Sequence, residues 1–148
     1  MIWKPHVTVA AVIEREGEFL LVEEETDEGV RFNQPAGHLE CREALCDAVV
    51  REVLEETGYD FVPRTLVGVY NWRNEAKDIT YLRFAFAGEI TGHDAARRLD
   101  EGIIAARWMT LPAICALADR HRSPLILRCI EDWQAGRRYP LDLIVHYS

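Results

Sequence analysis

Long apolar runs are missing from this sequence. At the N-terminus the run Val7 to Ile13 covers only seven residues, whereas a membrane-spanning helix takes about 20, and no cleavage-site pattern follows it. Basic residues are scarce. Lys and Arg total 17 against 25 Asp and Glu, a net charge of −8, which argues against a nucleic-acid binder that must neutralise phosphates with its own bases. The four cysteines, Cys41, Cys46, Cys115 and Cys129, include no CxxC pair and have no zinc-finger spacing to histidines, so they read as reduced thiols. There is no internal repeat, low-complexity tract or Pro/Gly/Ser-rich linker,. These absences lead us to expect one cytoplasmic domain over residues 1–148, monomeric or homodimeric, with neither membrane nor nucleic acid as a partner.

What is there suits a single core. Of the 148 residues, 49% are hydrophobic and 28% charged, enough to bury roughly two thirds of the unfolded surface. The β-branched run HVTVAAVIE turns at Glu16-Gly17 into FLLVEEE, which predicts a hairpin over residues 6–25,. A short strand follows at Val30 to Asn33, then a Pro-Gly loop, QPAGHLE, then a helix from about Arg42 to Thr57 that Gly58 ends in a left-handed conformation,. TLVGVYNW and DITYLRFAFAGEI read as two strands around the polar turn RNEAK. Residues 103–109 form another strand, 111–120 and 124–136 helices, and YPLDLIVHY a tail without a clear pattern,. The fold class is α+β, a mixed sheet packed between helices as an α/β/α sandwich.

The helix carries the chemistry. At about 100° per residue, Cys46, Val49, Val50, Val53 and Leu54 share an apolar arc, Asp47 and Arg51 face water as an i,i+4 pair, and Glu52, Glu55 and Glu56 crowd the remaining sector at the border of the core. Like charges at this spacing repel. Either solvent screens them or a cation sits between them, and the residues upstream bear on which. Gly37 is followed by five residues and Glu43, then seven and Arg51-Glu52, then Glu55-Glu56 and Gly58. All seven residues match a fixed pattern whose chance probability is about one in 10^8 per starting point.

GHLECREALCDAVVREVLEETGY, residues 37–59, resembles the Nudix box, with Tyr59 in place of the final aliphatic residue and His38 where many members carry a second glycine. The resemblance implies the Nudix fold and a Mg²⁺-dependent hydrolase, with Mn²⁺ as the alternative. Its metal would be held by Glu52, Glu55, Glu56 and the carbonyl of Gly37, oxygen donors that suit a hard cation. Arg51 would orient the glutamates and Glu43 would brace the loop. The general base stays open between Glu52 and Glu101 in LDEGIIAARW, and no motif spacing around His6, His38 and His121 marks any of them as a base.

KPHVTVAAVI, FNQPAGHLE, YLRFAF, RSPL and GRRYPLDLI are similar to segments of the NudJ-type phosphatase subgroup. That implies release of orthophosphate from nucleoside tri- and diphosphates, thiamine diphosphate and hydroxymethylpyrimidine diphosphate, by attack of metal-activated water on phosphorus. The other readings are a pyrophosphatase of another nucleoside diphosphate such as ADP-ribose, and a silent nucleotide- or protein-binding module with the same fold. For the organic half of a small-molecule substrate the candidates are Phe32 and Trp72, with Tyr70 and Tyr81 beside them, since aromatic faces stack on bases. For the phosphates they are Arg31 and Arg83, with Arg73, since guanidinium grips phosphate bidentately.

Overall fold

A computed structural model describes all 148 residues. Strands β1 (His6–Val12), β2 (Glu14–Arg15), β3 (Glu18–Thr26), β4 (Gly29–Asn33) and β5 (Ala36–His38) precede helix α1 (Leu45–Thr57). Then come β6 (Tyr59–Asn74), β7 (Ile79–His93), β8 (Ile103–Thr110), α2 (Leu111–Ala116), α3 (Leu125–Gln134) and β9 (Tyr139–Pro140). One sheet has the order β5-β1-β7-β6-β9, with β1 parallel to β7 and the other pairs antiparallel. The second joins β2, β3 and β4, with β8 on β3. No helix is long and apolar enough to cross a membrane.

Two hydrophobic clusters hold the layers together. The first gathers Val9, Ala11, Phe86 and Leu66 of the first sheet under Ala48, Val49 and Val53 of α1. The second gathers Val12, Ala85, Ala87 and Val67 with Ile126, Cys129 and Ile130 of α3 and Ile114 of α2. Successive strand residues point to opposite faces, so the same strands feed both clusters, and β1 is buried on both sides from Thr8 onward. Such a central strand, parallel to its neighbour, reads as an unbroken apolar run. The layers are those of the expected α/β/α sandwich.

Several local expectations are corrected. The hairpin over 6–25 is only its tip: β2 pairs with β3 around Glu16 and Gly17, both at positive φ, while β1 leaves for the other sheet, where its apolar faces meet α1 and α3. The QPAGHLE loop contains β5, an edge strand hidden in the sequence by Pro35 and Gly37. Helix α1 begins at Leu45 rather than near Arg42, because Arg42 sits at φ 65° in a left-handed turn that no helix accepts,. At the far end Gly58 takes φ 77° and its N–H returns to the Leu54 carbonyl, as expected. Residues 111–120 split into α2 and a 3₁₀ turn at Ala118–Arg120. The tail forms β9 and a 3₁₀ turn that seats Leu141 and Ile144 against the first cluster.

Candidate active site

The face of α1 that turns inward is not the apolar arc alone. Ala48, Val49, Glu52, Val53, Glu56 and Thr57 are its buried residues, so the buried arc takes in two glutamates beside Val49 and Val53. Edge strand β5 makes this possible by carrying Gly37 beneath the helix. A Cβ built on Gly37 would lie 2.2 Å from the Glu52 carboxylate, so the missing side chain is the space that Glu52 fills. Gly37→Ala is therefore expected to push the Glu52 carboxylate aside and lower kcat/KM about 10²-fold, the usual cost of a 1 Å misplacement. Steady-state kinetics beside a thermal melt check this, and a variant with wild-type kcat/KM would refute it.

Arg51 is the hub of the motif. Its Nε and Nη2 donate to the two oxygens of Glu43 at 2.7 and 2.9 Å, its Nη1 to Glu52 Oε1 at 2.7 Å and Glu55 Oε2 at 3.3 Å, and its Nη2 to the His38 carbonyl at 3.1 Å. Asp47, its expected surface partner, is not among these groups; the guanidinium folds inward toward the greater number of carboxylates. Glu43 also accepts from the Glu40 N–H at 3.0 Å, and the hydrogen bonds from Arg51 hold its carboxyl below the usual range.

The three glutamates have different surroundings. Glu52 is buried, and burial pushes its carboxyl up to about 6, against the opposing hydrogen bond from Arg51. Glu56 is buried without any cationic partner; it accepts one hydrogen bond, from the Ala36 N–H at 2.9 Å. Burial raises its carboxyl to about 9, with the charges of Glu52, Glu24 and Asp100 acting in the same direction. Oxygens of Glu52, Glu55 and Asp100 lie within 4.8 Å of one another. The downstream acid that approaches the cluster is thus Asp100, whose N–H bonds to the Glu55 carbonyl at 3.0 Å. Glu101, the sequence candidate, is exposed and outside the cluster.

Glu52, Glu56, Gly37 and Ala36 open into a cavity of about 410 Å³. Arg31, Trp72 and Arg83 line it as expected, and Tyr81, Thr8, Asn33, His38, Lys77 and Arg122 join them. Trp72 and Tyr81 stack with ring centroids 5.7 Å apart. Phe32 does not reach the cavity. On β4, Arg31 and Asn33 point into it, and the alternate residue Phe32 turns into the second core cluster, 4% exposed. Tyr70 also points away, donating to Asp132 Oδ2 at 2.7 Å, and Arg73 pairs with Asp78 on the β6–β7 hairpin.

The cations of the cavity divide by partner. Lys77 lies against Asp27 and Glu28, and Arg122 against Glu24 at 2.6 Å. Arg31 donates only to the Val30 carbonyl, and Arg83, 5% exposed, is held by neutral groups, Gln34, Asn33 and Cys129. The donor set at Glu52, Glu55, Glu56 and Gly37 is all oxygen, with a buried carboxylate that lacks a counter-charge, and it fits a hard divalent cation.

Comparison with known proteins agrees with this geometry. The model of the NUDIX domain matches residues 4–129. Phosphatase NudJ of Escherichia coli strain K12 is 42% identical over 147 residues, 99% of this chain and 94% of that protein. A NUDIX hydrolase from Nitrosomonas europaea superposes with a TM-score of 0.95 at 50% identity, over 97% of this chain and 98% of that one. A bifunctional NMN adenylyltransferase/ADP ribose pyrophosphatase from Francisella tularensis shares the fold, with a TM-score of 0.74 at 19% identity over 90% of this chain and 42% of its own.

Proposed function

The chain belongs to the NUDIX domain family as a hydrolase of its phosphatase type, and from that premise we propose that it releases orthophosphate from small organic di- and triphosphates, nucleoside and thiamine diphosphates among them, with Mg²⁺ or Mn²⁺. The observation that carries this reading is Glu56, a buried carboxylate that opens into the cavity with no cation of its own. A ligand that brings metal to that end and phosphate to the basic residues supplies both missing charges.

Glu52, Glu55, Glu56 and the Gly37 carbonyl would hold the cation, with Asp100 beside them. Bound there, it neutralises phosphate charge and acidifies water, the main demands of phosphoryl transfer. The chain's own groups do the rest. Arg51 fixes Glu52 through Oε1, which leaves Oε2 to take the proton of the attacking water. With a cation beside it this carboxylate would stay charged, and so able to accept a proton, at neutral pH. The water oxygen bonds to phosphorus, the anhydride bond breaks, and its electron pair leaves with the departing phosphate. Trp72 and Tyr81 offer an aromatic face to the organic half.

The test is a panel of GTP, GDP, thiamine diphosphate and ADP-ribose with Mg²⁺, Mn²⁺ or EDTA, separating orthophosphate from pyrophosphate in the products. Orthophosphate from GTP and GDP, abolished by EDTA, is the expected result. Exclusive release of pyrophosphate from GTP would overturn the phosphatase reading.

A further inference from the structure

Arg83 is a buried cation without an anion. Its Nη1 donates to Gln34 Oε1 at 2.9 Å and weakly to Cys129 Sγ at 3.9 Å, and its Nη2 to Asn33 Oδ1 at 2.9 Å. Gln34 is itself fixed, 1% exposed, with its Nε2 bound to the Ile126 carbonyl at 2.9 Å. Neutral amides orient the guanidinium but leave its charge uncompensated, a costly arrangement for a buried ion. Of its five N–H groups, Nε–H and one on Nη2 have no protein partner. Two free N–H groups on one guanidinium are enough to donate to two oxygens of a phosphate.

The position suits a phosphate. Thr8 pairs with Arg83 on one side and with His38 on the other, so two strand spacings, about 10 Å, separate the Arg83 backbone from the strand that carries Gly37. All three residues line the cavity. An arginine side chain and a chain of two or three phosphates together bridge that interval. A terminal phosphate carries about −1.5 to −2 charge at pH 7 and three free oxygens, whereas a phosphate capped by a second organic group carries one charge and two free oxygens. We propose that Arg83, held by Asn33 and Gln34, anchors an uncapped terminal phosphate and so selects di- and triphosphates with a free end over capped diphosphates. This deepens the hydrolase reading and rests on it for its kinetic test.

Asn33→Asp keeps the side chain's shape and hands Arg83 an internal counter-ion; Arg83→Met keeps the stem and removes the charge. Inorganic phosphate in EDTA should raise the melting temperature of the wild type, and both variants should need at least about tenfold more phosphate for the same rise. With metal, kcat/KM for GDP should fall about 10²-fold, chiefly through KM. ADP-ribose, read as substrate or as competitor, should be affected several-fold less. Phosphate protection that is absent in the wild type or intact in Asn33→Asp overturns the proposal, as do equal losses for GDP and ADP-ribose. If the wild type hydrolyses nothing in the panel while Asn33→Asp still loses phosphate protection, the anchor stands and the hydrolase reading fails.

Discussion

Glu56→Gln should yield a folded protein that releases phosphate about 10³-fold more slowly, because an ion that stabilises transition-state charge contributes several kcal/mol and each 1.36 kcal/mol is a factor of ten. The same change should make the metal-free protein more stable at pH 8. Glutamine keeps an oxygen for the Ala36 N–H and removes a carboxylate whose charged form burial disfavours. Activity and stability then move in opposite directions, which simple damage to the fold would not do. Phosphate release within threefold of wild type, or a lower melting temperature in EDTA, would sink the idea.

The metal-free wild type should lose stability as the pH climbs, and divalent metal should restore it. Glu52 and Glu56 have folded values of about 6 and about 9 against an ordinary 4.5, so between these limits the folded state binds more protons than the unfolded one. Under that condition stability falls with rising pH. It is fully present below about 4.5, declines through both groups up to about pH 6 and through Glu56 alone above that, and reaches its floor near pH 9. The two groups together are worth on the order of several kcal/mol, or roughly 10 °C of melting temperature for a chain of this size. A bound cation reverses the preference by favouring both charged carboxylates and expelling their protons. Melting curves at pH 5.5 and 8.5, in EDTA and in Mg²⁺, should show a metal effect that is small at the lower pH and large at the higher. Equal metal effects at both would count against Glu52 and Glu56 as the ligands.

The motif residues were legible because their spacing is independent of burial. Gly37, Glu43, Arg51, Glu52, Glu55 and Glu56 could be named from the sequence, and the structure brings all six together around α1. The phase of that helix was legible in part. A hydrophobicity pattern places its inward face on Cys46, Val49, Val50, Val53 and Leu54, and Val49 and Val53 are buried, but the buried face continues through Ala48, Glu52 and Glu56 instead of Val50 and Leu54, and no polarity pattern reveals a carboxylate that is buried for use. Phe32 was misplaced although the alternation along β4 holds the signal, since Arg31 and Asn33 cannot share its face. Asp100 against Glu101 turns on one residue of loop geometry. Arg83 could be named as a phosphate candidate, but not as a buried one, because its burial depends on Gln34 and α3, which are remote in sequence.

Fourteen residues separate Gly37 from Glu52, and they behave as a ruler. The chain must leave β5, reverse through Arg42, enter α1 and descend until one carboxylate lies over one glycine. A single inserted residue inside the helix turns everything beyond it by about 100° and advances it 1.5 Å, which would swing Glu52 away from Gly37 and separate Arg51 from Glu43. The β6–β7 hairpin turn at Glu75–Asp78, exposed throughout, sets no such register. Length variation in this protein should be tolerated at that turn and forbidden inside the interval, although the turn is the shorter of the two.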